Sequence, residues 1–425
     1  MDSGRQQGAA FDIGMGTLKP DADIMTTGKV PLDSYYGQQR FEREREAFGH
    51  VWLNIAETVE IPDPGDWIVR EVSIRSASII IVRGKDDVIR AFHNICSHRG
   101  MKLVWEDKGK GGKFACPYHA WMYDSAGALT HIPDAACFPH VDKAQSSLSQ
   151  VHCEVWEGFV FINFDEGPSV SLTEFLGPLA ERLEGLPLAT YACSARIGGR
   201  LHTNWKLAIE AQSEAYHVRA LHARTVSKML SSKDNPHIHP LHWEQLGAHG
   251  FKSEPRNTEY EMDPAALVQA FAYSSVGHMT DAKRIAGAST ITSHPAVNPK
   301  RSNEWGNDQF VVYPHFVLHV SHGGWWMHRF WPVAPDKTDW ESVYHFAEPQ
   351  GLREQFALQY SLAFNRDTLL EDNFALVQQQ QVMGSGAKAV AQFGEQEIQC
   401  RHIAAVHSAI AETAGACMNY RVAAE

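Results

Sequence analysis

Cysteine is scarce in this sequence, with seven residues among 425. An odd and sparse set in a chain of this length does not make a disulfide framework, and it is typical of a reducing cytoplasm. The N-terminal segment up to Thr26 has no apolar core preceded by positive charge, so no signal peptide is predicted. No apolar run approaches the ~20 residues that a membrane-spanning helix needs. We therefore predict a cytoplasmic protein that does not contact a membrane.

Positive charge is also in the minority. The sequence has 38 Lys and Arg residues against 50 Asp and Glu residues, which gives a formal net charge of −12. Charges of both signs are scattered along the chain, and this balance argues against nucleic acid as the main partner. The 44% apolar content is ample for a buried core and suggests two or three domain-sized units.

The first part of the chain predicts an arm and then a small β domain. Residues 1–45 contain a Gly- and Asp-rich arm and enter an amphipathic helix that is predicted over 34–52. Residues 46–165 alternate short apolar runs with Gly and Asp, a pattern that predicts an all-β domain. Its clearest strands are predicted at Trp67–Val72, Ser78–Arg83, Val88–Asn94 and Val155–Phe164.

The remainder, residues 166–425, predicts an α+β domain in which a long C-terminal helix covers the sheet. The region 286–306 is expected to be irregular. Strands are predicted at Gln309–Ser321, Gly324–Val333 and Trp340–Ala347. Helices are predicted over 172–186, 205–222, 262–285, 353–383 and 395–414.

Four metal-ligating residues are grouped in two short segments of the β domain. Cys96 and His98 form a C-x-H motif, and Cys116 and His119 form a C-x-x-H motif after seventeen intervening residues. Two thiolates and two imidazoles suit a single tetrahedral zinc ion. They equally suit a Rieske cluster, in which both Cys bind one iron and both His bind the other.

A second group of candidate ligands lies in the 205–222 helix. Glu214 and His217 are three residues apart and are expected to share a helix face. His217 and His222 are five apart, which on an ideal helix separates them by ~140°. They can bind one metal only if the helix breaks or ends between them, and we predict this break near Ala220–Leu221. Two His and one carboxylate would make the facial triad of a non-haem Fe(II) site.

These segments resemble one known family. Cys96–Gly100 (C-x-H-R-G) and Cys116–Trp121 (C-P-Y-H-x-W) are similar to the Rieske domain of ring-hydroxylating oxygenase α subunits. Asn204–His222 resembles the N-W-K…E-x-Y-H-x₄-H segment of the same family. The resemblance continues through Tyr313–Asp336, so it covers nearly the whole chain. It implies a Rieske domain followed by a helix-grip (START-like/SRPBCC) catalytic domain.

The resemblance also implies the cofactors and their ligands. A [2Fe–2S] cluster would be held by the four Cys and His residues of the two loops: Cys96, His98, Cys116 and His119. A mononuclear Fe(II) would be held by His217, His222 and Asp372, with the adjacent Glu371 as the alternative carboxylate. Glu214 would act in catalysis by connecting the cluster of one subunit to the iron of the next. NAD(P)H would supply electrons indirectly, through a reductase and in some systems a ferredoxin.

The same resemblance implies a homotrimer, with or without a β subunit, that acts on a small organic substrate and O₂. We expect an aromatic ring-hydroxylating dioxygenase. The alternative is a monooxygenase or demethylase that acts on a non-aromatic or N- or O-methyl substrate. Two departures favour this alternative: Glu214 stands where many aromatic dioxygenases have Asp, and Ala211 where they have Asn. A third hypothesis, from another class, is an electron carrier or zinc-binding module without oxygenase activity.

Overall fold

The structure is a computed structural model that describes residues 8–191, 193–276 and 288–424. The chain forms two compact units. The smaller unit comprises Ile13–Met15 and Arg45–Phe175, and the larger unit comprises the rest of the chain. The divisions predicted at 45/46 and 165/166 compare with changes between the two units at 44/45 and 175/176. No helix within the described residues is both long enough and apolar enough to cross a membrane.

The strands and helices are numbered here in chain order. The strands β1 to β21 are Phe11–Asp12, Thr17–Leu18, Lys29–Pro31, Leu53–Glu57, Asp66–Val72, Ala77–Arg83, Ile89–His93, Lys108–Lys110, Lys113–Ala115, Met122–Asp124, Leu129–His131, Gln150–Trp156, Phe159–Asn163, Cys193–Leu201, His242–Leu246, His249–Pro255, Trp305–Val312, Phe316–Ser321, Gly324–Ala334, Lys337–Phe346 and Val390–Gln392. The helices α1 to α11 are Ala22–Thr27, Gln38–Ala47, Leu172–Leu176, Pro178–Leu183, Trp205–Gln212, Val218–Leu221, Ser227–Leu230, Leu267–Val276, Ala288–Thr292, Leu352–Met383 and Ile398–Ala424.

The smaller unit is built from β-sheet. Its larger sheet has seven strands in the order β4-β13-β12-β7-β6-β5-β8, and its smaller sheet has three in the order β11-β10-β9. The run Ile79–Val82 in β6 is fully buried, because β-branched side chains pack well on a pleated surface. Cys96 and Cys116 belong to the same buried cluster as Phe92 and Trp121, so the two motif loops are anchored in the core.

The larger unit is a helix-covered sheet. Seven antiparallel strands lie in the order β14-β20-β19-β18-β17-β16-β15. Helix α5 contacts β19, α10 contacts β14, and α11 contacts β15 and β16. The 32-residue α10 is the long helix predicted over 353–383. The all-β unit and this antiparallel sheet under helices confirm the predicted α+β, helix-grip fold class.

The strand register places a row of rings on one sheet face. His319 of β18 lies opposite Trp326 of β19, and Trp326 lies opposite Tyr344 of β20. Residues two apart along a strand share a face, so His328 of β19 lies on the same side as this row.

Two predicted strands are each two strands joined by a turn. The segment Val155–Phe164 turns at Glu157 and Gly158, which both have positive φ, and it pairs with itself as the β12–β13 hairpin. The segment Gln309–Ser321 turns at residues 313–315 between β17 and β18. Both turns lie within continuous apolar stretches, so the sequence pattern did not reveal them.

Several predicted helices are shorter or displaced. The helix expected over 34–52 begins at Gln38 and ends at Ala47. The region 286–306 was expected to be irregular but contains α9, and the last helix runs to Ala424 rather than to 414. Of the helix expected over 262–285, only α8 is described, and 277–287 lie outside the described residues.

Candidate active site

The two motif loops of the smaller unit have matching backbone geometry. The N–H of Cys96 donates to the carbonyl of Met101 (2.8 Å), and the N–H of Cys116 donates to that of Trp121 (2.8 Å). The residue before each of these carbonyls has a positive φ, 73° at Gly100 and 56° at Ala120. Gly adopts this conformation without a steric penalty, which explains the glycine of the first loop.

The thiols and imidazoles of these loops lie in different environments. Cys96 and Cys116 are both buried, and burial raises the pKa of the Cys96 thiol, which lies beside Cys116. The imidazole of His98 is half-buried and that of His119 is exposed, with ring centroids 4.6 Å apart. Trp121 stacks on His98 at 4.9 Å, so its ring helps to fix that imidazole.

Tyr123 supports the first loop from the interior. Its hydroxyl lies 3.3 Å from Cys96 Sγ and accepts a hydrogen bond from the Ser97 N–H at 3.0 Å. Burial raises the pKa of Tyr123 to about 12, so the phenol keeps its proton and can donate to a thiolate. Hydrogen bonds to cluster sulfurs tune the reduction potential of such centres.

This donor set fits a two-iron cluster better than one zinc ion. Within the described ranges, only His217, His222 and Asp372 place three metal-ligand atoms within 4.8 Å of one another. No three of the four loop residues converge in this way, although a tetrahedral zinc site would require it. A cluster with thiolates on one iron and imidazoles on the other spreads its ligands, as these loops do.

In the larger unit, His217, His222 and Asp372 converge on one point. The Nε2 atoms of the two His are 3.2 Å apart, and Asp372 Oδ1 lies 3.4 Å from the first and 3.0 Å from the second. Metal–ligand bonds of about 2.1 Å at right angles place ligand atoms about 3.0 Å apart. Oδ1 is buried without a hydrogen bond of good geometry, so it is free to bind a cation. The three residues therefore fit a facial iron triad.

A helix does end at Leu221, between His217 and His222, as predicted, but a second break before His217 was not predicted. Helix α5 ends at Gln212, where Ser213 Oγ donates back to the Ile209 carbonyl at 2.7 Å. Residues 213–217 are not helical, so the expectation that Glu214 and His217 share a helix face is wrong. The four-residue helix α6 then starts after His217 and ends at Leu221, which places His222 just beyond its end.

Glu214 organises this break. Its carboxylate accepts hydrogen bonds from the backbone N–H groups of Tyr216 and His217, which lie at the start of α6. The same carboxylate hydrogen-bonds Nδ1 of the His217 ring. Because Nδ1 is occupied, Nε2 is the atom presented to the metal position.

Glu371 has a matching place beside His222. Its Oε2 lies 2.6 Å from His222 Nδ1 and accepts a hydrogen bond from Thr225 Oγ1 at 2.7 Å. The adjacent Asp372 approaches the opposite nitrogen of that ring. This geometry favours Asp372 over Glu371 as the third ligand and gives Glu371 an orienting role that the sequence did not predict.

The ionised forms of the triad residues stabilise one another. Burial works to lower the pKa of His217, but Asp372 and Glu214 outweigh it and raise the pKa to about 10. Burial works to raise the pKa of Asp372, and the two neighbouring His hold it below its usual range instead. A divalent cation would replace the protons of these imidazoles as the partner of the carboxylates.

A cavity of about 180 Å³ opens beside the triad. One wall is the sheet row His319, Trp326 and Tyr344, together with His328. Sequence patterns alone favour Trp326 as a core residue first and a pocket wall second, and they leave open which sheet His residues face a cavity. Glu254 also lines the cavity, and its carboxylate pairs with Lys252 and accepts a hydrogen bond from Asn307 Nδ2 at 3.1 Å. His319 and His328 line the cavity, whereas His322 is not among its lining residues.

Curated relatives include both amine and aromatic oxygenases. The carnitine monooxygenase oxygenase subunit of Escherichia coli (strain K12) is 32% identical over 218 residues, covering 49% of this chain and 58% of the relative. The glycine betaine monooxygenase oxygenase subunit of Chromohalobacter salexigens is 32% identical over 229 residues, covering 51% of each. The 2-aminobenzenesulfonate 2,3-dioxygenase subunit alpha of Alcaligenes sp is 32% identical over 208 residues, covering 47% of this chain and 51% of the relative. The matched region thus spans little more than half the length of these relatives.

Solved structures share the fold. The quaternary ammonium Rieske monooxygenase CntA, in complex with gamma-butyrobetaine, has a TM-score of 0.69 at 22% identity, covering 92% of this chain and 98% of that chain. Naphthalene 1,2-dioxygenase from Rhodococcus sp., bound to indole, has a TM-score of 0.71 at 20% identity, covering 91% and 96%.

Family profiles match both units. The Rieske [2Fe-2S] domain profile matches residues 51–148. The profile described as the ring hydroxylating alpha subunit (catalytic domain) matches residues 188–412, which is more than half of the chain. The chain therefore belongs to the ring-hydroxylating oxygenase α-subunit family, and its cofactors are a Rieske [2Fe–2S] cluster and a mononuclear non-haem iron.

Proposed function

We propose that this chain is the oxygenase subunit of a Rieske monooxygenase that oxidises a quaternary ammonium compound. Relatives with carnitine and glycine betaine monooxygenase names support this substrate class over aromatic compounds. The aromatic dioxygenase that we expected first has less support. The match to the catalytic domain argues against the third hypothesis, an electron carrier or zinc module.

The observation that carries the proposal is the composition of the cavity beside the triad. Trp326 and Tyr344 line it, with ring centroids 6.4 Å apart and planes at 17°. A quaternary ammonium has no hydrogen to donate, so a protein binds it through aromatic faces and nearby negative charge. Glu254 also lines the cavity, but Lys252 already pairs with its carboxylate, so the aromatic faces are the main recognition element for the cation.

The residues around the iron would position the reaction. When bound, the iron supplies the activation of O₂ at positions that the three protein ligands leave open. Glu214 and Glu371 hold the Nδ1 atoms of His217 and His222, so both imidazoles keep a fixed orientation. Insertion of one oxygen atom into a C–H bond consumes O₂, two electrons and two protons and releases one water molecule.

The electron path is proposed to cross between subunits of a homotrimer. Inter-subunit electron transfer is described for CntA, whose fold this chain shares. Here, the partner subunit's His119 would contact Glu214, which already hydrogen-bonds His217. NAD(P)H would reduce a separate reductase, with or without a ferredoxin, and that protein would reduce the cluster. A cytoplasmic location and the presence or absence of a β subunit stay predictions.

Replacement of Trp326 tests the substrate class. With a generic reductase and NADH, the purified holoenzyme is expected to consume O₂ with trimethylammonium compounds and to form an aldehyde. Trp326→Leu should raise KM for these compounds roughly 10–30-fold, because a desolvated cation–π contact is lost. Trp331→Leu, on the same strand but outside the cavity lining, is the matched control and should leave KM unchanged.

A second candidate, an aromatic dioxygenase, is favoured by the 2-aminobenzenesulfonate dioxygenase relative. The same assay with aromatic compounds separates the two. A cis-dihydrodiol product, together with no O₂ uptake on ammonium compounds, would refute the proposed substrate class.

A further inference from the structure

His328 is a cavity residue whose hydrogen bonding is incomplete. Its side chain is 1% exposed and lines the cavity beside the iron triad. Nδ1 accepts a hydrogen bond from Trp340 Nε1 at 3.4 Å. Nε2 is buried and has no hydrogen-bond partner among the described residues. Buried polar atoms in native proteins are nearly always paired, so a water molecule or a ligand in the cavity is a candidate partner for this nitrogen.

Trp340 also determines which ring nitrogen of His328 carries the proton. The indole N–H is only a donor, so His328 Nδ1 must present its lone pair. The neutral ring then carries its hydrogen on Nε2, which makes that atom a donor. Burial lowers the pKa of His328 to about 3, which is consistent with a neutral ring at physiological pH.

The neighbouring His319 provides an internal contrast. It lines the same cavity and stacks on Trp326 with ring centroids 4.5 Å apart. However, its Nδ1 lies 3.4 Å from Asn307 Oδ1 and its Nε2 lies 3.3 Å from Gln309 Nε2. Both nitrogens of His319 therefore have protein neighbours, whereas Nε2 of His328 is buried and has no hydrogen-bond partner among the described residues.

We infer that His328 Nε2–H binds an oxygen atom of the substrate and selects compounds that carry such an acceptor. This inference rests on the proposed function and deepens it: the substrate would be a methylated ammonium compound with a hydroxyl, carbonyl or carboxylate oxygen. Trp326 and Tyr344 would hold the cationic end, and His328 would hold the oxygen. The residue would thus determine specificity and position the substrate relative to the iron.

Matched pairs of ligands test the inference on the holoenzyme by anaerobic titration calorimetry. Choline is compared with propyltrimethylammonium, in which a methyl group replaces the hydroxyl, and phenol is compared with toluene. Wild type should bind the oxygen-bearing member roughly tenfold more tightly, since one buried donor otherwise stays unpaired. Glycine betaine, compared with choline, shows whether a carboxylate or a hydroxyl oxygen is preferred.

Two variants at position 328 and one control complete the design. His328→Phe should abolish the preference within each pair, and His328→Gln should restore much of it because the amide can donate. His319→Phe should shift the affinity for both members of a pair by the same factor. A preference that persists in His328→Phe, or that is absent from wild type, would overturn the inference.

The two pairs keep this result separate from the proposed function. If only phenol and toluene bind, the proposed ammonium substrate is wrong, while a phenol preference that depends on His328 still supports the role of this residue. If choline and propyltrimethylammonium bind equally in all variants, the substrate class stands and the inference about His328 fails.

Discussion

At the residue scale, two adjacent carboxylates of α10 have different tasks. Asp372 Oδ1 lies 3.0 Å from Nε2 of His222, and Glu371 Oε2 lies 2.6 Å from Nδ1 of the same ring. One carboxylate therefore faces the metal position and the other fixes the ring that faces it. Orienting residues of this kind affect metal affinity less than the ligands do.

Substitution of each carboxylate should separate these tasks. Asp372→Ala is expected to lose the mononuclear iron, because two imidazoles alone hold Fe(II) weakly. Glu371→Gln should keep the iron with an affinity lowered about 10–100-fold, since the amide can still contact the His222 ring. Iron analysis under increasing chelator concentration measures both. Retention of the [2Fe–2S] signal in electron paramagnetic resonance shows that each variant is folded. If Asp372→Ala binds iron more tightly than Glu371→Gln does, the roles assigned to the two carboxylates are reversed.

At the element scale, the sequence predicted the loops better than it predicted the helices. The Cys96 and Cys116 motifs are local, so their spacing alone indicated a metal centre. The helix end at Leu221 was predicted, but the break at 213–217 was missed because the Glu214 carboxylate caps the start of α6, and a helical pattern does not show that contact. The partners of Glu371 and His328 lie on other elements, so only the folded structure reveals their roles.

Helix α5 contains an acid whose state should control stability. Glu210 is buried and accepts a hydrogen bond from the Tyr35 hydroxyl at 3.0 Å. Burial raises its pKa to about 8, although the Tyr35 bond and nearby Lys206 oppose this shift. The native carboxyl thus keeps its proton up to about pH 8, whereas the unfolded one loses it near the ordinary glutamate pKa of 4.5. The resulting stabilisation is complete below pH 4.5 and is lost as the pH rises through 8.

Glu210→Gln should remove this pH dependence. Relative to wild type, the variant is expected to gain roughly 2–4 kcal/mol in the free energy of unfolding between pH 4.5 and pH 8. Thermal unfolding across this pH range measures the difference in Tm. Glu181→Gln, at an exposed position of α4, is the matched control and should give a Tm difference that stays constant with pH. A constant difference for Glu210→Gln as well would show that Glu210 ionises normally in the folded protein.

At the scale of the whole molecule, the candidate ligands of the cluster and those of the iron belong to different compact units, and of the two candidate cluster imidazoles His119 is exposed and His98 half-buried. The exposed imidazole of His119 would let electrons leave the cluster towards another protein surface. If that surface belongs to a second copy of the chain, each active site needs the cluster of one copy and the iron of another.

Mixed oligomers distinguish electron transfer between subunits from electron transfer within one subunit. Cys116→Ser should lack the cluster, Asp372→Ala should lack the iron, and each variant alone should be inactive. In a cyclic trimer assembled from both at equal amounts, transfer between subunits restores roughly a quarter of wild-type turnover, because half of the irons remain and half of their neighbours carry a cluster. Wild type mixed equally with the double variant is the control, and it should also give a quarter. Transfer within one subunit would instead give no turnover in the first mixture and half of wild-type turnover in the second, so the comparison of the two mixtures decides the electron path.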